Sequence, residues 1–167
     1  MGAPSQSDTR SMTILMGVND SFCLGPGWFA PTVDARFGIP YRPTGQTAQL
    51  IVPVPCTAGG ELSVLMTSCP ALLGRPIRAR VALDGCMMGE TTIQTDLWCV
   101  WRMAFPPMEP DPVQKTAPPH SPPHQQLYRR VLSLSVDEPF IPDVRLHNGD
   151  HRRMGLYLSA LRFVWTS

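Results

Sequence analysis

The chain has 167 residues, which is long enough for one domain with a proper core and short for two. Hydrophobic residues make up 43% of the sequence and charged residues 16%, which excludes a generally disordered chain. The formal net charge of +1 gives no electrostatic reason to expect nucleic acid or an acidic membrane surface as a partner.

The N-terminal region and the cysteines bear on the cellular compartment. Met1–Arg10 is polar, and the apolar run Met12–Met16 is too short for a signal-peptide core. No stretch approaches the roughly 20 apolar residues of a membrane span. The five cysteines are scattered without C-x-x-C spacing, which is typical of reduced thiols. We therefore expect a cytoplasmic protein with no membrane span, no metal site and no cofactor.

Short runs rich in β-branched, aromatic and Leu residues recur between Gly and Pro breaks, and 19 prolines disfavour long helices. Leu132–Val136 and Leu156–Leu158 alternate apolar with polar or small residues, as a half-buried strand requires. Nine strands are predicted: Thr13–Val18, Phe22–Leu24, Ala48–Val54, Glu61–Cys69, Ile77–Leu83, Thr91–Thr95, Leu97–Phe105, Tyr128–Val136 and Gly155–Trp165. This pattern predicts an all-β fold, a two-sheet antiparallel β-sandwich of the jelly-roll type.

The domain organisation follows from composition. We predict a flexible N-terminal tail over Met1–Ser11 and a single β-sandwich domain over Met12–Ser167. Within the domain, Pro106–Gln126 is so rich in proline that it favours extended polyproline II conformation, and it should form a long surface loop between two strands.

Several local features follow from turn chemistry and side-chain alternation. Asp84-Gly85 has the residues that a tight hairpin needs, and Ala58–Gly60 should separate two more strands in the same manner. In Ile77–Leu83 the odd-numbered residues should face the core, with the two arginines facing water. In the last strand, the apolar phase changes after Leu158, so a bulge near Ser159-Ala160 is predicted.

The order of motifs resembles a known bacterial module. The opening reads Gly25–Phe29, then Pro40–Gly45, then Thr47–Pro55, and the end reads Val131–Phe140 with Pro142, followed by Asp150–Leu158. This order is similar to that of the β-sandwich domain often appended to glycosyltransferases of surface-polysaccharide assembly. The resemblance implies a jelly-roll fold like that of carbohydrate-binding modules, and a carbohydrate or a glycosyltransferase complex as partner.

Aromatic rings that stack on the apolar side of a sugar ring are the expected binding elements of such a module. Trp28 and Tyr41 lie in turn-rich segments, which favours them as platforms. Trp98 and Trp101 lie in one predicted strand and should project to opposite faces, one into the core and the other exposed or covered by the Pro-rich loop. The candidate ligand-binding aromatic residues are Trp28, Tyr41 and Trp101.

Asp150–Arg153 is the densest polar cluster, and two interpretations stay open. Asp150, Arg152 and Arg153 could bind hydroxyl or carboxylate groups, with arginine forming forked bonds. Alternatively, Asp150 and an arginine brace the corner where the chain enters the last strand.

The sequence contains no G-x-S-x-G, H-E-x-x-H, P-loop or dinucleotide fingerprint. The leading hypothesis is therefore a non-catalytic glycan-related binding or accessory module associated with bacterial polysaccharide biosynthesis. One alternative is a structural subunit of a phage-like particle or multi-subunit complex, for which the low charge and nine methionines suit burial against neighbours, including other copies of this chain. A second alternative is a glycoside hydrolase, since the sequence does not exclude a carboxylate pair.

Overall fold

The computed structural model describes residues 8–55, 59–107 and 129–166. In this part of the chain ten strands and three short helices are present. The strands are β1 Thr9–Leu15, β2 Thr32–Asp34, β3 Ile39–Pro43, β4 Thr47–Pro53, β5 Gly60–Thr67, β6 Ile77–Leu83, β7 Cys86–Ile93, β8 Cys99–Phe105, β9 Arg129–Val136 and β10 Tyr157–Thr166. The helices are a 3-10 helix Asp20–Phe22, α1 Pro70–Leu73 and α2 Pro142–Leu146.

The strands form two antiparallel sheets packed face to face. The six-stranded sheet has the order β2-β3-β10-β5-β8, and β1 also pairs with β10; the four-stranded sheet has the order β4-β9-β6-β7. β3 pairs with Tyr157 and Leu158, whereas β1 pairs with Ala160–Thr166, so these two strands share one edge of β10 end to end. The predicted all-β, two-sheet antiparallel sandwich is confirmed.

The core lies between the two sheets. In β6, Ile77, Ala79 and Val81 are each 0% exposed, while Arg78 is exposed and Arg80 is half-buried. The predicted alternation of this strand is therefore confirmed. Burying a Val, Leu or Ile side chain contributes roughly 1.5–3 kcal/mol, so the repetition of this pattern in facing strands is what holds the sheets together.

A bulge in β10 keeps its whole apolar side on the core. The register of β10 against β5 shifts between Leu158 and Ala160, which confirms the predicted irregularity at Ser159. Leu158 before the shift and Leu161 after it are both 0% exposed. The bulge lies where the neighbour of β10 changes from β3 to β1. At this point the Ser159 carbonyl accepts the N–H of Met16, the residue that follows β1, at 2.8 Å.

The two predicted turns have different outcomes. Asp84 and Gly85 have φ values of 51° and 81°, the left-handed conformation of a tight two-residue hairpin between β6 and β7. The second turn is wrong as a hairpin, because β4 and β5 belong to different sheets. Ala58 of that turn lies outside the described residues.

Other predictions are corrected by the structure. The predicted strand Phe22–Leu24 is wrong: a 3-10 helix ends at Phe22, and Leu24 makes only an isolated bridge to Leu50. The predicted tail is too long, because β1 begins at Thr9 and pairs Thr9 with Thr166. β2 and β3 were not predicted.

Of the Pro-rich loop, residues 108–126 lie outside the described residues. Among the helices that the structure describes, none has the length and apolar character needed to cross a membrane.

Candidate functional site

A pocket of about 200 Å³ lies on the outer face of the six-stranded sheet, at the end where β3 meets β10. Leu158 and Met66 point into the core, so their strand neighbours Tyr157 and Thr67, which are paired with each other, point to the opposite face. We call this cavity the Tyr41 pocket. It is lined by Val33, Asp34, Ala35, Arg36, Tyr41, Thr67, Ser68, Cys69, Asp96 and Tyr157.

Two aromatic rings, those of Tyr41 and Tyr157, line the Tyr41 pocket, and the rings of Trp98 and Phe140 pack against them. The Tyr41 ring centroid lies 4.9 Å from that of Tyr157 and 5.7 Å from that of Trp98, the latter pair meeting edge to face at 61°. Phe140 packs edge to face on the other side of Tyr157 at 5.9 Å. Tyr41, Trp98 and Tyr157 are only half-buried, so part of each ring remains accessible.

Charged groups also line the Tyr41 pocket. Arg36 joins two carboxylates, with its Nη1 at 2.7 Å from Asp96 Oδ2 and its Nη2 at 3.0 Å from Asp34 Oδ2. The Trp98 Nε1–H donates to Asp34 Oδ2 at 2.9 Å. Asp34 ends β2, whereas Asp96 and Trp98 precede β8, so this network ties two segments that lie about sixty residues apart.

The ionisation of the pocket groups is set by their neighbours. Hydrogen bonds from Arg36 and Trp98 lower the pKa of Asp34 to about 2. Burial raises the pKa of Tyr41, of Tyr157 and of the Cys69 thiol. At neutral pH the Tyr41 pocket therefore presents a fixed carboxylate beside uncharged hydroxyl and thiol groups.

We expect the bond between Trp98 and Asp34 to persist well into acid. Because the folded pKa of Asp34 is about 2, below its ordinary value of 3.8, the carboxylate stays ionised as pH falls past 3.8 and accepts a proton only near the lower value. The chemical shift of the Trp98 indole N–H proton should therefore change near pH 2. The Asp34→Asn variant should lose this transition, and a wild-type midpoint near pH 3.8 would contradict the proposed network.

A second ion pair lies beside the pocket, in the predicted Asp150–Arg153 cluster. Arg152 Nε and Nη2 donate to the two oxygens of Asp150 at 2.8 and 2.6 Å, which lowers the pKa of Asp150 to about 2. The Arg152 guanidinium lies 5.3 Å from the Phe29 ring centroid. The positive charge of Arg152 counteracts part of the effect of burial, which raises the pKa of Tyr41. The forked pair is the geometry that the bracing interpretation requires.

The other three predicted site residues, Trp28, Trp101 and Arg153, do not line the Tyr41 pocket. Trp28 is half-buried against the core, and its Nε1–H donates to the Gln49 carbonyl at 2.7 Å. Trp101 is on the inner face of β8, at the free edge of the sheet. Arg153 is exposed and makes no side-chain hydrogen bond or ion pair within the described residues. Of the six predicted residues, Tyr41 lines the pocket and Asp150 and Arg152 pair with each other, while ligand binding by any of the six stays a prediction.

Most residues of the Tyr41 pocket were not predicted from the sequence. Asp34 ends β2 and Arg36 lies in the turn that follows, in a region where no strand was predicted. Asp96 carried no motif, and Tyr157 lay in the Asp150–Leu158 motif without being singled out. Trp98 was recognised only as the opposite-facing neighbour of Trp101. The one usable signal was the charge in Asp34-Ala-Arg36, since carboxylate and guanidinium two residues apart are suited to a braced turn.

Comparison with known proteins concerns the fold. No family model and no curated protein sequence matches this chain. A variant of a family 29 carbohydrate-binding module is similar, with a TM-score of 0.47 and 8% identity over 94% of this chain and 92% of that chain. The native family 35 carbohydrate-binding module of Clostridium thermocellum has a TM-score of 0.43 and 9% identity over 96% and 93% of the respective chains.

A larger protein is similar over one part of its length. The Podospora anserina GH26-CBM35 β-(1,4)-mannanase has a TM-score of 0.45 and 10% identity over 94% of this chain. This chain spans 28% of that enzyme. At these identities and TM-scores the likeness assigns no ligand and no function to this chain.

Proposed function

We propose that this chain is a non-catalytic carbohydrate-binding module and that the Tyr41 pocket receives one sugar unit. The observation that carries the proposal is the meeting of the Tyr41 and Tyr157 rings with the Asp34–Arg36–Asp96 network in one cavity, where Trp98 supports both sides by packing on Tyr41 and donating to Asp34. A sugar ring has apolar C–H patches and a rim of hydroxyls, so it is recognised by aromatic surface combined with fixed hydrogen-bonding groups.

The size of the Tyr41 pocket limits what it can hold. Its volume of about 200 Å³ is smaller than the roughly 300–1,000 Å³ of ordinary small-molecule sites. We expect a monosaccharide or the end of a glycan chain to enter it, with the remaining sugar units outside. Arg36 and Asp96 are each about half exposed, at 51% and 52%, and can reach hydroxyls of such a ligand at the rim.

The ionisation of Asp34 supports a role in binding without catalysis. Glycoside hydrolysis uses one carboxyl group that stays protonated until it donates to the leaving oxygen. Arg36 and Trp98 instead lower the pKa of Asp34 to about 2, so this carboxyl group acts as a hydrogen-bond acceptor at neutral pH.

Replacing Trp98 by Ala is expected to weaken glycan binding at least about tenfold, because it removes the ring that packs on Tyr41 and a bond that orients Asp34. The binding partner is first found on a glycan array, and affinities are then measured by isothermal titration calorimetry. Trp98→Phe is the matched control, since it keeps a ring while losing the N–H donor, and should give an intermediate affinity. Unchanged affinity in both Trp98→Ala and Tyr41→Ala would contradict the proposal.

The wider role that we propose is that of an accessory module beside polysaccharide-synthesising enzymes in the bacterial cytoplasm. Its support is the order of the sequence motifs from Gly25–Phe29 to Asp150–Leu158. Co-purification of a glycosyltransferase with the tagged chain is the expected result, and repeated failure to recover one would argue against this role.

An assembly subunit is the second candidate, and exposed apolar side chains favour it. Val18 and Phe22 are 65% and 61% exposed within five residues of each other, and Val144 and Leu146 are 64% and 55% exposed on α2. Such side chains suit burial against a neighbour. Light scattering coupled to size-exclusion chromatography distinguishes the candidates, because a stable oligomer without glycan affinity would favour assembly.

A further inference from the structure

A second and larger cavity lies between the free edges of the two sheets. It has a volume of about 480 Å³, and its lining includes Thr91, Thr92, Gln94, Thr95, Leu97 and Trp101. β7 is the last strand of the four-stranded sheet and β8 the last strand of the six-stranded sheet, so within the described residues neither pairs with another strand on its outer side. We call this cavity the Trp101 cleft.

One segment of the chain separates the Trp101 cleft from the Tyr41 pocket. Asp96 lines the Tyr41 pocket, whereas Gln94, Thr95 and Leu97 line the Trp101 cleft. Trp98 packs on Tyr41, and Trp101, at opposite parity along the chain, lines the cleft. The two cavities therefore have different walls and are distinct sites.

The lining of the Trp101 cleft is uncharged and combines polar side chains with the apolar side chains of Ile93, Leu97, Cys99 and Val100. Among its side chains, those of Thr91, Thr92, Gln94 and Thr95 make no hydrogen bond to any described residue, so their hydroxyl and amide groups remain available. No Asp, Glu, Lys, Arg or His lines this cavity. The Tyr41 pocket, in contrast, contains two carboxylates and a guanidinium.

Trp101 supplies the aromatic surface of the cleft, and Gly89 sets its position. A Cβ atom built on Gly89 would lie 2.8 Å from the Trp101 ring, so the absence of a side chain lets the indole lie on β7. The indole is half-buried and fixed between the two sheet edges. A rigid ring bordered by free hydroxyls is complementary to a ligand with apolar patches and many hydroxyl groups.

We infer that the Trp101 cleft is a second binding site, for a neutral oligosaccharide that stacks on Trp101 and bonds to the surrounding threonines and glutamine. The cavity falls within the roughly 300–1,000 Å³ of ordinary ligand sites, which allows more than one sugar unit. This site does not depend on binding at the Tyr41 pocket. The lining residues include no cationic side chain that could pair with the carboxylate of an acidic sugar.

Addition of a peptide strand to the sheet edge is the competing use of this region. Along β7 the structure disfavours it, because the pairing of β7 with β6 shifts register between Val81 and Ala82, and the bulge distorts this edge. The pairing of β8 with β5 has no such shift, so pairing along the β8 edge is what the octapeptide below tests. Side-chain hydroxyls, which a saccharide uses, contribute nothing to backbone pairing along an edge.

The test uses the full chain labelled with 5-fluorotryptophan, whose ¹⁹F signals are assigned with the Trp98→Phe and Trp101→Phe variants. The ligands are cellohexaose, maltohexaose, mannohexaose and an alternating Thr-Val octapeptide. At least one hexasaccharide is expected to shift the Trp101 signal. Thr95→Val, which changes a hydroxyl to a methyl group of similar size, should weaken that binding about fivefold. Trp98→Phe should leave it unchanged.

Each result bears on one site. A shift of the Trp98 signal alone would overturn the second site and leave the proposed function standing. A shift of Trp101 alone would support the second site and count against the Tyr41 pocket. If only the octapeptide moves Trp101, or no compound moves it, the inference about the Trp101 cleft is wrong.

Discussion

Replacing Asp84 by Ala is expected to lower the free energy of unfolding by about 3–5 kcal/mol, because it leaves the Arg130 guanidinium buried without its anion. Arg130 is 1% exposed, and its Nε donates to Asp84 Oδ2 at 2.7 Å. Among the described residues, its other partners include the Phe105 ring, 5.9 Å from the guanidinium carbon, and the Pro106 carbonyl. Neither neutralises a positive charge.

Asp84 also holds the hairpin in which it lies. Its Oδ1 accepts the Val131 N–H at 2.8 Å, and its own N–H donates to the Val131 carbonyl at 2.8 Å, which fastens the turn to β9. Its φ of 51° belongs to the left-handed region, where Ala costs roughly 1–2 kcal/mol. The substitution therefore removes an ion pair, a backbone cap and a favourable turn residue together.

Urea unfolding of four variants separates these contributions. Asp84→Asn keeps the turn conformation and an acceptor oxygen but removes the charge, so it should cost less than Asp84→Ala. Arg130→Met should be tolerated better than Asp84→Ala, because a buried apolar chain needs no partner. The double variant Asp84→Ala with Arg130→Met should lose less stability than the sum of the single losses. Additive losses would contradict the role of the ion pair.

The Asp84–Arg130 pair also shows which features can be predicted from the sequence and which cannot. The dipeptide Asp84-Gly85 predicts a hairpin correctly, because the requirement for positive φ is local. That Asp84 would meet Arg130, 46 residues further along the chain, depends on which strands become neighbours. β6 pairs with both β7 and β9, and only the first pairing leaves a signal in the sequence.

Strand prediction succeeded where alternation is regular and failed where proline interrupts it. β6 was predicted with its observed bounds Ile77–Leu83, because four buried positions alternate with polar or small residues. β3 contains two prolines in five residues, and β2 has only three residues, so neither shows a period. The candidate site suffers from this failure, since Asp34 and Tyr41 lie on these two strands.

The Tyr41 pocket could be predicted only in part. Tyr41 was singled out as an aromatic residue in a turn-rich segment, and the structure places it in the pocket. The other walls come from segments around residues 34, 68, 96 and 157, and only the folded sheet brings them together. Trp28 lay in a similar segment but packs against the core, because its indole N–H found a carbonyl on β4.

Replacing Asp20 by Ala is expected to lower the free energy of unfolding by about 3 kcal/mol, because Asp20 binds three donors in a nearly closed environment. Asp20 is 3% exposed; its two oxygens accept Arg42 Nε at 2.7 Å and Nη2 at 3.1 Å, and Oδ2 also accepts the Gly17 N–H at 2.8 Å. Arg42 in turn donates to the Phe29 carbonyl at 3.0 Å. Asp20 thereby fastens β3 to the segment that carries Phe29, beside the Tyr41 pocket.

This contribution should disappear in acid, and the sign follows from the pKa. Burial raises the pKa of Asp20, but the hydrogen bonds from Arg42 and Gly17 and the charge of Arg42 outweigh it, so the folded pKa lies below 3.8. Since the folded pKa is lowered, the stabilisation is complete above 3.8 and is lost as pH falls through the folded value. The difference in unfolding free energy between wild type and Asp20→Asn should therefore shrink below pH 3.8. Arg42→Met should shrink the difference at neutral pH, because it removes the cation that lowers the pKa. A difference that stays constant from neutral pH into acid, or that survives in the Arg42→Met background, would show that the ion pair does not stabilise this corner.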